Sequence, residues 1–303
     1  MLSVYDPATH TLRPDTAPRD RCWTDVVAPG PDEREVLRQL GVPDELVRDA
    51  LDAYELSRVD HHETGARLFV LRVPAQASAS TEVVPLGVVT LPSGSIVTLS
   101  RADTGIPALL AAADTDASTT RFSLALALRV AERFVATLHA IETEIARLED
   151  RLRGALENDE ILGLLEQQKR LVYLDAALGA NQLVLERALH DERLELTTGD
   201  RVLVEDVLVE LRQAGTMTHT TKELLGETMD ALATVVSNNL NVAMKQLASL
   251  TLLVSLPSLL AGLYGMNVAM PFADRPWAFA AIFASSAVVV GALWAVLRSR
   301  RWL

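Results

Sequence analysis

The sequence predicts an α+β domain followed by a long helical stalk and two C-terminal transmembrane helices. Three observations predict it. Short strand-like runs separated by Pro-, Gly- and Asp-containing turns fill residues 1–117. From Asp200 the chain reads as one helix, with no proline before Pro257. Near the C-terminus, Leu247 to Tyr264 carries no charged side chain across 18 residues, and Pro276 to Leu297 carries none across 22. A bilayer's hydrocarbon core needs about 20 helical residues, so each run is long enough to cross it.

In the first domain, Cys22 to Val27 reads as a strand. Pro29-Gly30-Pro31-Asp32 is a turn that starts a helix ending near Leu40, with Val36, Leu37 and Leu40 on its apolar face. A second short helix is expected from Asp44 to Leu51. Strands follow over Arg67 to Val73, Val83 to Leu91 and, after Pro92-Ser93-Gly94, Ser95 to Leu99. Ala75 to Thr81 is small and polar, which suits a hairpin loop. The cluster Asp60-His61-His62-Glu63 has the residue types of a metal site. Neighbouring strand side chains point to opposite faces, however, and Thr64-Gly65 signals a turn. An exposed hairpin is expected there, and no catalytic constellation is evident.

Residues 118–199 predict a helical hairpin. One helix runs from Ser118 to Leu156, Glu157-Asn158-Asp159 breaks it, and a second runs from Glu160 to Leu196. Thr197-Thr198-Gly199-Asp200 then opens the stalk helix, 200–263, about 95 Å long at 1.5 Å per residue. It continues into the first transmembrane helix. A loop at 264–276, the second transmembrane helix at 277–297 and a basic tail at 298–303 follow.

Charge divides along the same line. Residues 241–303 hold Lys245, Arg275, Arg298, Arg300 and Arg301 against one acid, Asp274. The remaining 240 residues hold 23 basic and 39 acidic side chains, a net of −16. Such a surface repels nucleic acid and attracts cations. The first 21 residues lack the basic start and apolar core of a secretory signal. The single cysteine, Cys22, allows no internal disulfide and suits a reducing compartment. Arg298, Arg300 and Arg301 directly follow the second span, which puts that end in the cytoplasm. Two spans return the N-terminal domain to the same side and leave the 264–276 loop outside. Trp277, Trp294 and Trp302 can anchor at the interfaces. No nucleotide-binding P-loop occurs, which argues against ATP-driven pumping.

Within the stalk and first span, steps of three and four residues pick out Asn241, Met244, Ala248, Thr251, Ser255, Ser258 and Gly262. A soluble coiled coil would place Leu or Ile on such a seam. Leu250, Leu252, Leu253, Leu256 and Leu260 fall largely off it instead. In the other direction the seam meets Ser237, Thr234, Asp230, Glu227 and Glu223. Two accounts compete. Small and hydroxyl side chains let membrane helices pack closely, or the stripe lines a water-filled path at the centre of a symmetric bundle. Close packing explains Ala248, Ser255 and Gly262, but neither Asn241 nor the acids that continue in phase. The path is therefore preferred, and one helix can enclose it only as a ring of copies. Pro257 removes the helical bond to the Leu253 carbonyl, and an exposed carbonyl there can face the path.

The first run closes on Ala261-Gly262-Leu263-Tyr264-Gly265-Met266-Asn267. The bare tripeptide reads as a helix end, with Gly265 as a left-handed cap and Asn267 as a turn residue. Placed after the first of two C-terminal spans, the string resembles the signature of the CorA family of divalent metal-ion transporters, Tyr-Gly-Met-Asn. The resemblance implies a funnel-shaped homo-oligomer, a pentamer, in which the first span lines the pore and the second lies outside it. It implies Mg²⁺ influx, with Co²⁺ or Ni²⁺ also carried, and pore closure by intracellular divalent ions. Gly265, Met266 and Asn267 become the outer selectivity site, with Asn267 touching the metal's shell. Asn241, Met244, Leu247, Thr251, Ser255, Ser258 and Asp230 line the path, Met244 and Leu247 as its constriction. Asp206 stands where relatives carry a regulatory metal-binding aspartate. Relatives often follow the tripeptide with Met-Pro-Glu-Leu, where this chain has Met270-Pro271-Phe272, its nearest acid being Asp274 beside Arg275. That departure leaves Zn²⁺ open, since a zinc-transporting branch shares the fold. A reading from another class is a non-conducting, membrane-anchored sensor, which predicts no flux and tolerance of bulky residues at Ser255 and Ser258.

Overall fold

The computed structural model describes residues 1–6, 9–14, 21–75, 83–111, 118–154, 158–266, 275–300 and 302. The chain divides into two compact units, Met1–Leu225 and Gly226–Leu303.

The first unit is built on a seven-stranded mixed sheet. Its strands are β1 (Leu2–Asp6), β2 (Thr11–Pro14), β3 (Trp23–Val27), β4 (Arg58–His61), β5 (Arg67–Pro74), β6 (Val83–Thr90) and β7 (Ile96–Ser100). The spatial order is β2-β1-β3-β7-β6-β5-β4. β3 and β7 run parallel, pairing Trp23 with Ile96 through Val27 with Ser100. The other neighbours are antiparallel. The helices are α1 (Pro31–Gln39), α2 (Asp44–Ala50), α3 (Ile106–Ala111), α4 (Thr119–Gly154), α5 (Asn158–Ala188) and the first part of α6 (Thr198–Tyr264).

Helices cover both sheet faces, so the inner strands β6 and β7 are buried along their whole length. This is why they read as unbroken apolar runs and not as alternation. On one face, Leu37 of α1 and Leu46, Val47 and Ala50 of α2 join Val26, Leu68, Val70, Val97 and Leu99 of the sheet. A Cβ at Gly87 would lie 2.6 Å from the Ala50 Cβ, so glycine at that point of β6 is what lets α2 approach so closely. The opposite face packs on α4 and α5, where Leu126, Phe134, Leu138 and Leu178 are buried.

Asn181 of α5 shows how the sheet is completed where a strand runs out. β4 begins pairing at Arg58 opposite Val70, so the outward backbone groups of Arg72 lie beyond it. The fully buried Asn181 fills the gap: its Oδ1 accepts from the Arg72 N–H at 2.9 Å and from the Ser57 hydroxyl at 2.7 Å. Its Nδ2 donates to the Arg72 carbonyl at 2.8 Å. One side-chain amide thus stands in for a strand partner and satisfies buried backbone groups that would otherwise be costly.

Several elements differ from the sequence expectation. β1, β2 and α3 form where no strand or helix is predicted, and β4 is the first strand of the hairpin expected around Thr64-Gly65. α5 ends at Ala188 and not near Leu196. Asp191 ends the tract by accepting from the Arg193 N–H at 3.1 Å, opening a single 3₁₀ turn, Glu192–Leu194, and Glu195 follows with φ 47. The start of α6 is fixed by a reciprocal cap. The Thr197 N–H donates to Asp200 Oδ2 at 3.0 Å, and the Asp200 N–H donates to Thr197 Oγ1 at 3.2 Å. The expected loop at Ala75 to Thr81 lies almost wholly outside the described residues.

The second unit holds the rest of α6 and α7 (Ala278–Ser299). Both helices are long and apolar enough to cross a bilayer. Among the described residues here, Ser249 and Leu297 are the side chains that are buried.

Candidate functional site

The second unit's part of α6 has two faces of opposite character. Ser249, Leu253, Leu256, Pro257 and Leu260 form a covered or half-covered stripe. α7 has one matching stripe, Ala278, Ile282, Ser286, Val290, Leu293 and Leu297, with the spacing that a helix packed along one face shows. Both stripes are apolar apart from one small serine each, and the Ser249 hydroxyl is spent on the Lys245 carbonyl at 2.8 Å. At about 100° per residue, Thr251, Ser255, Ser258 and Gly262 lie on the side of α6 opposite its covered stripe. All four are exposed, as are Asn241, Met244, Leu247 and Asp230. On α6 the leucines that the chain itself shields are thus kept apart from the run of polar groups.

The local bonding of the hydroxyls sets what this face can do. Thr251 Oγ1 donates to the Leu247 carbonyl at 2.8 Å, Ser255 Oγ to the Thr251 carbonyl at 2.6 Å, and Ser258 Oγ to the Val254 carbonyl at 2.9 Å. Each hydroxyl proton is therefore used within the helix, and the oxygen lone pairs are left outward. A surface of acceptors suits a hydrated cation, whose water protons point away from the metal. Thr234 does the same on the Asp230 carbonyl at 3.0 Å. Glu227 is exposed beside Asp230 on this helix.

The structure corrects one detail of this face. Leu253 and Pro257 both lie on the half-covered stripe, so the carbonyl freed by the proline is not on the seam side. A second correction concerns the helix end. Gly265 is absent from the residues with positive φ, so it is no left-handed cap. Its N–H instead closes the last turn on the Ala261 carbonyl at 2.9 Å, and the Met266 N–H reaches the Leu263 carbonyl at 3.4 Å. A Cβ at Gly265 would stand 3.3 Å from the Ala261 carbonyl oxygen, a close approach that glycine relieves. Met266 is exposed, and Asn267 lies outside the described residues.

In the first unit, Asp206 is exposed on α6. Among the described residues no group of three His, Cys, Asp or Glu side chains is disposed to hold a metal. Glu223, at the end of the predicted seam, is 3.3 Å from His219 Nε2, one turn away on the same helix. The Asp60-His61-His62-Glu63 cluster does not converge. Asp60 lies 3.5 Å from Arg58, His61 Nε2 faces Asp191 Oδ2 at 3.2 Å, and His62 Nδ1 bonds Thr64 Oγ1 at 2.9 Å. The hairpin is present, with Gly65 at φ 81 as its turn, but His61 is half-buried and not exposed.

Two carboxylates in this unit are perturbed in opposite senses. Burial pushes Asp25 up to about 6 against the opposing bond from Thr98 Oγ1 at 2.6 Å. Bonds from Arg193, with His61 adding to them, hold Asp191 down at about 2. Both belong to the packing of the sheet domain.

Against known proteins, the family described as CorA-like Mg²⁺ transporter protein matches residues 19–300. A curated relative, the cobalt/magnesium transport protein CorA of Methanocaldococcus jannaschii, is 30% identical over 165 residues, 54% of this chain and 52% of the relative. The aligned segment thus spans about half of that relative's length. The complete structure of the CorA magnesium transporter from the same organism is similar over 100% of this chain and 99% of that one, with a TM-score of 0.82 at 20% identity. The ZntB cytoplasmic domain from Vibrio parahaemolyticus is similar over 78% of this chain and 98% of that one, with a TM-score of 0.61 at 11% identity. At these identities the structural likenesses carry the fold alone.

Proposed function

This chain belongs to the CorA-like Mg²⁺ transporter family, and from that premise we propose that it is a passive divalent-cation channel of the cell membrane. Mg²⁺ is its main cargo, entering the cell, and Co²⁺ and Ni²⁺ can follow the same path. Both termini lie in the cytoplasm, as the basic residues after α7 favour. The observation that carries this reading is the opposition of the two faces of α6. Its half-covered stripe holds Leu253, Leu256 and Leu260, and its exposed hydroxyls lie on the opposite side. A polar stripe turned to lipid is costly, so the seam needs other copies of itself. A ring of copies, five by the family resemblance, gives it a water-filled centre.

In that ring the residues divide the work. Asn267 offers a neutral carbonyl at the outer mouth, joined by the backbone carbonyls of Gly265 and Met266. Mg²⁺ dehydrates reluctantly, so neutral acceptors for its water shell admit it without trapping it. Thr251, Ser255 and Ser258 continue the acceptor lining. Met244 and Leu247 form the narrow, apolar constriction, and Asp230 raises the local cation concentration at the inner end. Asp206 supplies one carboxylate, and among the described residues its own chain offers no partner set. On this reading a regulatory ion there takes its remaining ligands from a second copy.

The test is reconstitution in liposomes with a Mg²⁺-sensitive dye. The proposal predicts flux down a Mg²⁺ gradient without nucleotide, lowered by Asn267→Ala about tenfold or more, the change that follows from losing about 1.4 kcal/mol of ion stabilisation. Absent flux, or flux indifferent to Asn267→Ala, contradicts it. A competition series with Co²⁺, Ni²⁺ and Zn²⁺ in the same vesicles ranks the metals.

A further inference from the structure

The last turn of α7 is positively charged. The Arg298 guanidinium sits 5.1 Å from the Trp294 ring centre, and both side chains are exposed. The Arg300 N–H donates to the Val296 carbonyl at 3.0 Å, and the Trp302 N–H donates to the Leu297 carbonyl at 3.0 Å. The backbone therefore folds back over the helix end and returns Trp302 to the same turn. Lys245, also exposed, stands just before the first uncharged run.

Spans joined by a short loop cross in opposite directions, so Lys245, Arg298 and Arg300 share one membrane face. No acid of the second unit's sequence falls beside them there. Asp274 follows the first span, at the other membrane face. Asp230 precedes Lys245 by about 22 Å of helix at 1.5 Å per residue, well beyond a Debye length of about 8 Å. The collar thus combines three cations and tryptophans at headgroup depth, with no acidic side chain of the second unit beside them in sequence.

We propose that Lys245, Arg298 and Arg300 form a binding surface for the phosphodiester headgroups of anionic phospholipids. A cation–π contact with the Trp294 ring holds the Arg298 guanidinium at the helix end, and the guanidinium carries its N–H donors along its edges. Those edges match a phosphate's oxygens bidentately. Tryptophan favours that interfacial depth, and each cation near the surface contributes about a fivefold gain in partition. The inference rests on the two-span reading of the chain and is independent of conduction.

The test uses the full chain in nanodiscs that mix phosphatidylglycerol with phosphatidylcholine, and native mass spectrometry to read which lipid each chain retains. The wild-type chain is expected to retain phosphatidylglycerol preferentially. The Lys245→Gln/Arg298→Gln/Arg300→Gln variant is expected to lose that preference by about a hundredfold, three fivefold steps combined. Arg298→Lys keeps the charge and gives up only the planar, bidentate share, so it falls between the two. Arg275→Gln, at the opposite end of the span, where Asp274 adjoins it and offsets its charge, is expected to change the preference far less than the triple variant. Equal retention of both lipids by the wild-type chain overturns the proposal, as does an unchanged preference in the triple variant, the result expected if the cations pair with acids of the protein itself. Flux is measured separately, in vesicles of phosphatidylcholine alone. If flux is absent there while lipid preference persists, the channel reading falls and this one stands.

Discussion

The two units of this chain place their side chains under different rules. In Met1–Leu225 the large apolar groups are buried within the chain, and even a backbone gap such as that at Arg72 is closed by Asn181. In Gly226–Leu303 the described helices bury almost nothing, and Leu250, Phe279, Phe283 and Val288 are left exposed. The first unit's sequence encodes contacts with itself. The second unit's sequence encodes contacts with a bilayer and, on the reading proposed, with its own copies. That contrast makes the seam on α6 informative: on a helix with so few internal partners, the placing of polar groups reflects what surrounds it.

Substitutions can break or sharpen the contrast, and their effects should fall in a set order when the full chain is unfolded in detergent. Phe134→Ala empties a fully buried site on α4 and should cost about 4 kcal/mol. Asn181→Leu removes the surrogate strand partner and strands two backbone groups of Arg72, for a cost of about 3 kcal/mol. Asp25→Asn acts in the stabilising direction. Because burial raises the folded Asp25 to about 6 from 3.8, the native state holds the extra proton between those values, and stability falls as pH rises through that window. The variant should therefore gain on the wild type from about pH 4 to pH 6, by up to about 3 kcal/mol at neutral pH. Asp191 has the opposite sign: its contribution is present above 3.8 and is lost as pH falls towards about 2. Leu250→Ala, on an exposed flank of the second unit, should change stability by less than about 0.5 kcal/mol. A cost for Leu250→Ala comparable to that for Phe134→Ala would erase the distinction between the units.

Much of this was legible in the sequence, for physical reasons that also explain the failures. β3, β5, β6, β7, α1 and α2 are apolar or amphipathic runs bounded by turn residues, and they form within a residue or two of where those signals fall. α6 was visible because nothing interrupts it from its Thr197–Asp200 cap onward. The two edge strands were the least legible: β2 is mostly exposed, and β4 is half-buried throughout and carries Arg58, Asp60 and His61 among its four residues. Such strands take their conformation from a neighbour and not from their own pattern. The early end of α5 did have a signal, the capping side chain of Asp191, hidden inside an otherwise helical stretch. At the candidate site, the phase of the seam was legible because helix geometry alone fixes it. That Pro257 and Leu253 belong to the opposite, half-covered stripe required the fold, since composition does not say which apolar face a second helix covers.

The central claim is that the hydroxyl face of α6, and not its leucine-rich stripe, surrounds the ion. The direct measurement is Mg²⁺ flux into liposomes for matched bulky substitutions on the two faces, Ser255→Phe and Ser258→Phe against Leu253→Phe, with oligomeric state checked for each. The account predicts that both serine variants abolish flux while Leu253→Phe, in an assembly of unchanged size, largely retains it. Flux that survives at Ser255 and Ser258, or that is lost equally on both faces, would contradict it.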